Sequence, residues 1–280
     1  MDGILIFDQP RNGAENMAID DAMLQWCDIH QKAALRIYRW AKPTLSLGYF
    51  QPWEEWLAYR DQVILPELHA QQLPQLQSSS VLFDSKFAVV RRRTGGGAIV
   101  HHHDWTYSLV VPWDQVRLGP TRNLYQWIHD GLAEWLTNSG FSAHLQSTSE
   151  PASKSAAFLC FQRRTEGDIL VGTDKIIGSA QRRGKRSLLQ HGSVLLARSC
   201  FAVGLPGLAE ITKALGNISG PLPNSQTLDE LSPFGRVISE CTSGRFDVNW
   251  ENTDNVNTFG LDLMNENLAI HRSAAWLERV

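Results

Sequence analysis

The chain has 280 residues, 43% hydrophobic and 20% charged, with 26 Lys+Arg against 29 Asp+Glu. This is the composition of an ordinary globular protein and excludes a disordered chain, a collagen-like repeat and a disulfide-dense mini-protein. A formal net charge of -3 supplies no overall pull toward nucleic acid or membrane. Cys27, Cys160, Cys200 and Cys241 fit neither a disulfide framework nor paired CxxC zinc ligation, so a reducing, cytoplasmic setting is expected. MDGILIFDQPRNG lacks a basic leader, and no run approaches the ~18 apolar residues of a membrane span.

In chain order, Ala18, Ile19, Ala22, Met23, Trp26 and Cys27 recur at helical steps and predict an amphipathic helix over 13–29. Short β-rich runs follow at Arg36–Trp40 and Leu45–Phe50. Leu65–Ser80, rich in Gln, Pro and Ser, is expected to be an exposed excursion. Phe87–Arg92 predicts a strand entering Thr94-Gly95-Gly96-Gly97, and Thr106–Pro112 predicts the next. A second helix is expected over 122–139, with Gly140 at its C-terminal cap. Gly167–Gly172 and Lys175–Arg183 predict a hairpin, Leu188–Ala197 another strand, and the remainder mostly helix, notably Leu208–Leu215 and Leu261–Leu277. Helices mixed with antiparallel-looking strands predict one mixed α/β domain over 1–280, looser and helical over about 205–280.

The densest chemical signal is RRRTGGGAIVHHHDWTYS, Arg91–Ser108. Three glycines let backbone N–H groups approach a ligand closely, and Arg91–Arg93 place positive charge beside them. A flexible turn explains the glycines equally well. His101-His102-His103 is not expected to bind a metal, because successive strand residues face opposite ways; one pocket-facing histidine with solvated neighbours is preferred. Between Lys154 and Arg186 stand eight Lys/Arg and three acids, which suits either a solvated face or the docking of an acidic partner. Cys160 has apolar flanks, as a structural cysteine does, but also Arg163, Arg164 and Lys175 nearby, which favour a nucleophilic thiolate. Cys27 is expected in the core. Gly178, Ser179 and Ala180 leave room for a ligand near Lys175.

The ordered set ENMAIDDAML, PTLSLGYFQ, RRRTGGGAIVH, TYSLVV, GDILVGTDKIIGSAQRR and LLQHGSVLL, over about 10–200, resembles the biotin/lipoate protein ligase superfamily, in its lipoate ligase and octanoyltransferase branch. Leu65–Lys86 looks like an insertion in that pattern. The resemblance implies a class II synthetase-like α+β catalytic domain, with a mixed, largely antiparallel sheet flanked by helices and a tunnel for an eight-carbon acyl chain. The acyl group goes to one lysine of a lipoyl domain, such as glycine cleavage H protein or a 2-oxoacid dehydrogenase E2 subunit. By position, Cys160 and Lys175 are the expected catalytic pair. Arg92, Thr94, Gly95, Gly96, Gly97, His101, Gly178, Ser179, Ala180, His191 and Gly192 are expected to shape the acyl pocket. Octanoyl-acyl carrier protein is the expected donor, with no cofactor; another lipoyl domain is an alternative donor. A ligase would instead use lipoate, ATP and Mg²⁺. Gly97 departs from the arginine that many octanoyltransferases carry and matches the ligases. The basic run is a weak case for a nucleic-acid-binding module, because no aromatic residues interleave with its charges.

Overall fold

A computed structural model describes residues 1–70, 87–113, 121–149, 157–215 and 228–279. Strands β1 (Asp2–Phe7), β2 (Ala33–Tyr38), β6 (Asp104–Pro112), β7 (Ala143–Leu145), β8 (Ile169–Val171), β9 (Asp174–Arg183), β10 (Ser187–Leu195) and β11 (Asn249–Thr253) form the main sheet. Their spatial order is β11-β1-β2-β6-β10-β9-β8-β7. β1 runs parallel to β11 and β2, and the other pairings are antiparallel. A second sheet joins β4 (Ala88–Arg91), β3 (Thr44–Leu47) and β5 (Ile99–His101), with β3 in the middle.

Strand alternation sends Leu35, Ile37, Tyr107, Leu109 and Val111 to one face of the main sheet. There they meet Leu124, Ile128, Leu132 and Leu136 of α4 (Thr121–Asn138), with Phe234 and Ile238 of α6 (Leu228–Phe246). The opposite face carries Ala34, Val110 and Leu189 against Ile19, Met23, Trp26 and Cys27 of α1 (Gly13–His30). Each fully buried Leu or Ile contributes roughly 1.5–3 kcal/mol. The Glu15 carboxylate accepts from the Asn12 N–H at 3.2 Å where α1 begins. The helix ends where Gln31 turns left-handed, φ 53°.

On the α1 face the sheet changes character along its strands. Beyond the apolar row Ala34, Val110 and Leu189 comes a polar row, Arg36, Ser108 and His191. Arg36 is wholly buried and pairs with Asp8 at 2.7 Å and Asp20 at 3.3 Å. Burial pushes the Asp8 carboxyl up, but Arg36 and Arg11 outweigh it and hold its pKa below the usual value. The next row, Tyr38, Thr106, Ser193 and Gly178, crosses four adjacent strands. That row is the floor of a sizeable cavity, and the smaller sheet covers it.

The helices over 13–29 and 122–139, the hairpin and the strand from 188 appear where expected, within a few residues. Three expectations need correction. Leu65–Ala70 is a helix, α3, continuing α2 (Trp53–Tyr59) through a π-helical turn at Arg60–Ile64. Leu68, with Ile64 just before it, buries against the side of the small sheet that holds Leu45, Leu47 and Phe87, while Pro66, His69 and Ala70 are exposed. The rest of the expected insertion lies outside the described residues. The helix expected over Leu261–Leu277 is two, α7 (Leu261–Arg272) and α8 (Ala274–Leu277), because the Ser273 hydroxyl accepts from the Trp276 N–H at 3.2 Å and caps a new start. β11, with the mostly exposed pattern NWENT, interrupts the helical C-terminal part because it adds an edge strand to β1. α5 (Leu208–Leu215) lies where predicted.

Candidate active site

The cavity has a volume of about 340 Å³. Its closed end is walled by Met17, Tyr38, Trp40, Thr106 and Ser193, all buried, and its open end by half-buried Cys160 and Arg163 and by the Gly95–Gly96 turn. The two sheets and α1 converge here from distant parts of the chain.

Cys160 reaches this mouth because its neighbours are anchored. Leu159 and Phe161 are buried on either side, and the Cys160 N–H donates to the Ala98 carbonyl at 2.7 Å. The apolar flanks therefore hold the segment while the sulfur faces the cavity. Lys175 Nζ lies 3.8 Å from Cys160 Sγ and 2.7 Å from Asp168 Oδ2. The same Asp168 oxygen accepts from the Thr165 N–H at 2.7 Å and its hydroxyl at 2.9 Å, while Tyr125 donates to the other oxygen at 3.2 Å. Burial works to strip the proton from Lys175, but a Cys160 thiolate and the Asp168 carboxylate outweigh it, holding the ammonium above its ordinary 10.5. Gly178 leaves space for Lys175 as well as lining the cavity: a Cβ there would lie 2.6 Å from Lys175 Cε.

The three arginines part company at the end of β4. Arg91 turns away, donating to the carbonyls of Gly48, Gln51 and Leu277. Arg93 pairs with Asp21 of α1 at 2.6 Å. Arg92 alone enters the site, where its guanidinium donates to the Ser46, Gly95 and Gly97 carbonyls and so shapes the glycine turn. Burial, aided by Arg91, lowers its pKa to about 10 even though Cys160 opposes this, so it stays charged at neutral pH. Gly96 takes φ +95°, and a Cβ at Gly97 would lie 2.9 Å from the Cys160 nitrogen. Glycine at 97 is what lets the cysteine segment sit against the turn.

The pattern of the lipoyl protein ligase A/B catalytic domain matches residues 12–203. The chain belongs to that family. Octanoyltransferase LipM of Carboxydothermus hydrogenoformans is 36% identical over 187 residues, 66% of this chain and 61% of that protein. LipM of Clostridioides difficile is 32% identical over 195 residues, 69% and 65% respectively. The chain thus matches less than two thirds of these relatives' own length. A lipoate-protein ligase A solved with ATP shares the fold with TM-score 0.65 at 19% identity, over 99% of both chains. So does a bi-partite lipoate protein ligase of Thermoplasma acidophilum, with TM-score 0.63 at 18% identity, over 99% of this chain and 96% of that one.

All but one of the residues expected in this lipoyl ligase-type site line the cavity: Cys160, Lys175, Arg92, Gly95, Gly96, Gly97, His101, Gly178, Ser179, Ala180, His191 and Gly192. Thr94 is the exception. It stands behind the wall, its hydroxyl 2.7 Å from His191 Nε2 and accepting from Arg92 Nε at 3.2 Å. His191 Nδ1 in turn faces Asp20 at 3.2 Å. Of the three consecutive histidines only His101 reaches the cavity; His102 and His103 are half-buried and stack on each other at 3.7 Å rather than being solvated. Among the described residues no cluster of three or more His, Cys, Asp or Glu could hold a metal ion. Within the basic run Lys175 is internal, Arg182 faces Asp21 at 3.9 Å and Arg183 lies over Trp113, while Arg183, Lys185 and Arg186 are exposed together. Lys154 lies outside the described residues. Cys27 sits in the core, where burial pushes its thiol up to about 12.

Sequence patterns missed Asp168, although it stands in the hairpin motif seven residues before Lys175. They also missed His129, whose wholly buried ring fixes the back of the wall. A carbonyl only accepts, so His129 Nδ1 donates to Gly167 at 2.6 Å. Nε2 then accepts from Ser179 at 2.7 Å, and Ser179 accepts from Tyr107 at 2.8 Å. Burial lowers the His129 pKa to about 4. An unfolded histidine takes its proton near 6.5, so acid favours the unfolded chain between those values by roughly 3 kcal/mol. Melting temperatures between pH 7 and pH 4 are therefore expected to fall less steeply in a His129→Gln variant than in the parent.

Proposed function

We propose that this chain transfers an octanoyl group from an acyl carrier protein to the acceptor lysine of a lipoyl domain, through a thioester on Cys160. The observation that carries the proposal is the cavity-facing sulfur 3.8 Å from a buried, charge-paired lysine. In the first half, the Cys160 thiolate, its own proton already released, attacks the donor thioester carbonyl; a new C–S bond forms, the bond to the carrier sulfur breaks, and that sulfur leaves and takes up the proton Cys160 released. In the second half, the acceptor amine attacks, the amide forms, and the amine's proton passes to the departing Cys160 sulfur. Lys175 holds its proton firmly, which suits it to stabilise the thiolate and the developing carbonyl oxygen and ill suits it to be a general base. The apolar part of the closed end, Met17, Tyr38 and Trp40, suits an alkyl chain. Energy stored in the donor thioester makes a nucleotide unnecessary.

The ATP-dependent lipoate ligase is the rival, favoured by Gly97. A magnesium-bound nucleotide needs free carboxylate oxygens. Asp168 is the one carboxylate among the described lining residues, and Lys175, Thr165 and Tyr125 already engage it. The residues present fit the metal poorly. Glycine cleavage H protein and E2 lipoyl domains are the proposed acceptors. The proposed location is cytoplasmic, with residues 1–280 acting as one catalytic unit; no described helix is long and apolar enough to cross a membrane. Incubating the protein with an apo lipoyl domain, and with either octanoyl-acyl carrier protein or lipoate plus ATP, decides between the two by product mass. Octanoylation without ATP is expected; lipoylation that requires ATP and ignores Cys160 would refute the transferase.

Gly97→Ala probes the seat of the sulfur. The added methyl overlaps the Cys160 backbone and the Phe158 carbonyl. A displacement of about 1 Å at a reacting atom costs on the order of 100-fold in rate. That loss is expected in octanoyl transfer, while the acceptor's KM stays near that of the parent.

A further inference from the structure

The cavity holds a second arrangement that acyl transfer through Cys160 leaves unused. Ser46 Oγ, on β3, lies 2.9 Å from His101 Nε2, and His101 Nδ1 lies 2.7 Å from Asp104 Oδ2. An ionised carboxylate only accepts, so the Nδ1 proton points at Asp104. Burial lowers the His101 pKa, with Arg92 and His191 adding to that and Asp104 opposing it, so the imidazole is neutral at pH 7. Its bare Nε2 then accepts a hydrogen bond from the Ser46 hydroxyl. The ring cannot swing away: Trp40 stacks on it at 3.8 Å and is itself pinned by donating its Nε1 proton to Thr106 at 2.9 Å. Arg92 Nη1 donates to Ser46 Oγ at 3.3 Å besides its 2.8 Å bond to the Ser46 carbonyl, which fixes the hydroxyl and sets a cation beside it.

We propose that Ser46, His101 and Asp104 form a hydrolytic triad that cleaves medium-chain acyl esters and thioesters entering this cavity. Acid, base and nucleophile stand in the order such chemistry requires. Ser46 and His101 both border the cavity that Cys160 shares; Ser46 is wholly buried and His101 is 3% exposed, so an acyl group reaches Oγ by displacing part of that wall. Arg92 and Cys160 both flank Gly96. Arg92 Nη2 would lie 3.1 Å from a Cβ on Gly96, and Cys160 Sγ would lie 4.0 Å from the same point. In the reaction, Ser46 Oγ attacks the acyl carbonyl as His101 takes its proton. The C–O or C–S bond of the leaving group then breaks, and that group departs with the proton. Water, deprotonated by His101, attacks the acyl-serine, frees the carboxylic acid and restores the Ser46 hydroxyl. The choice of medium-chain acyl groups rests on the acyl-transfer proposal; the triad itself rests on geometry alone.

The test uses the full chain carrying Cys160→Ala, so that the sulfur contributes nothing, with Cys160→Ser as a second background. An octyl fluorophosphonate is expected to add once, on the peptide that contains Ser46, and to leave the Ser46→Ala double variant unlabelled. Hydrolysis of 4-nitrophenyl octanoate is expected to fall about 100-fold or more on the same change. No adduct at Ser46 in protein that melts like the parent overturns the triad, as does an adduct elsewhere or hydrolysis indifferent to Ser46. Peptide mapping in the single variant decides the matter even if the double variant does not fold. Octanoyl transfer by the parent is scored separately, so loss of transfer with Ser46 still labelled counts against the Cys160 proposal alone.

Discussion

Replacing Cys160 with serine is expected to abolish the octanoyl adduct on the protein and to slow transfer to an apo lipoyl domain by about 1000-fold or more. A serine hydroxyl is scarcely ionised at neutral pH, and neither Lys175 nor Asp168 is placed to deprotonate it. Lys175 already carries its proton, and Asp168 is turned toward Lys175. The fold is expected to survive. The Cys160 N–H to Ala98 hydrogen bond and the burial of Leu159 and Phe161 do not involve the sulfur. Intact-protein mass spectrometry after exposure to octanoyl-acyl carrier protein, with a melting curve beside it, separates the two effects. A serine variant that transfers at the parent rate would eliminate the thioester route.

Lys175→Met is expected to act on both stability and chemistry. Asp168 is 1% exposed and would lose its countercharge, and an orphaned buried charge costs about 3–5 kcal/mol. Thr165 and Tyr125 remain as donors, which places the loss toward the lower figure. Removing the carboxylate too, in a Lys175→Met/Asp168→Leu double variant, is expected to recover much of the stability but none of the activity. The pH dependence follows from the raised proton affinity of Lys175. The contribution of the pair is complete at neutral pH, below the ordinary lysine value of 10.5, and is lost as pH rises past the higher folded value. The gap in unfolding free energy between parent and Lys175→Met should therefore close in strong alkali. A gap that closed on acidification from pH 7 to pH 6 would show that another group governs it. Alkylation of Cys160 by iodoacetamide at pH 7 is expected to slow in both variants, because the neighbouring cation is gone.

Much of this was legible from residue order. Helix periodicity located α1 and α4, the Gly-Thr-Asp turn located the hairpin, and the glycine triplet with Cys160 and Lys175 marked the site. Local signals failed where an element exists only because another covers it. Leu65–Ala70 is polar enough to pass for a loop, yet Leu68 finds a core assembled by β3 and Phe87. β11 has no alternation to announce it and forms by hydrogen bonding to β1, which precedes it by more than 240 residues.

Composition excluded a disordered chain and a disulfide-dense mini-protein, and the motif order placed the chain in its family. Sequence by itself also supplied a flexible glycine turn and a cysteine held by apolar neighbours. Which arginine enters the cavity, and that Gly178 serves Lys175, only the tertiary structure decided. It also decided that Asp20 completes His191 and that Ser46 meets His101. The reason is register: β2, β6 and β10 bring residues more than 60 positions apart into one lateral row, and charge and proton affinity in a buried cavity depend on those neighbours.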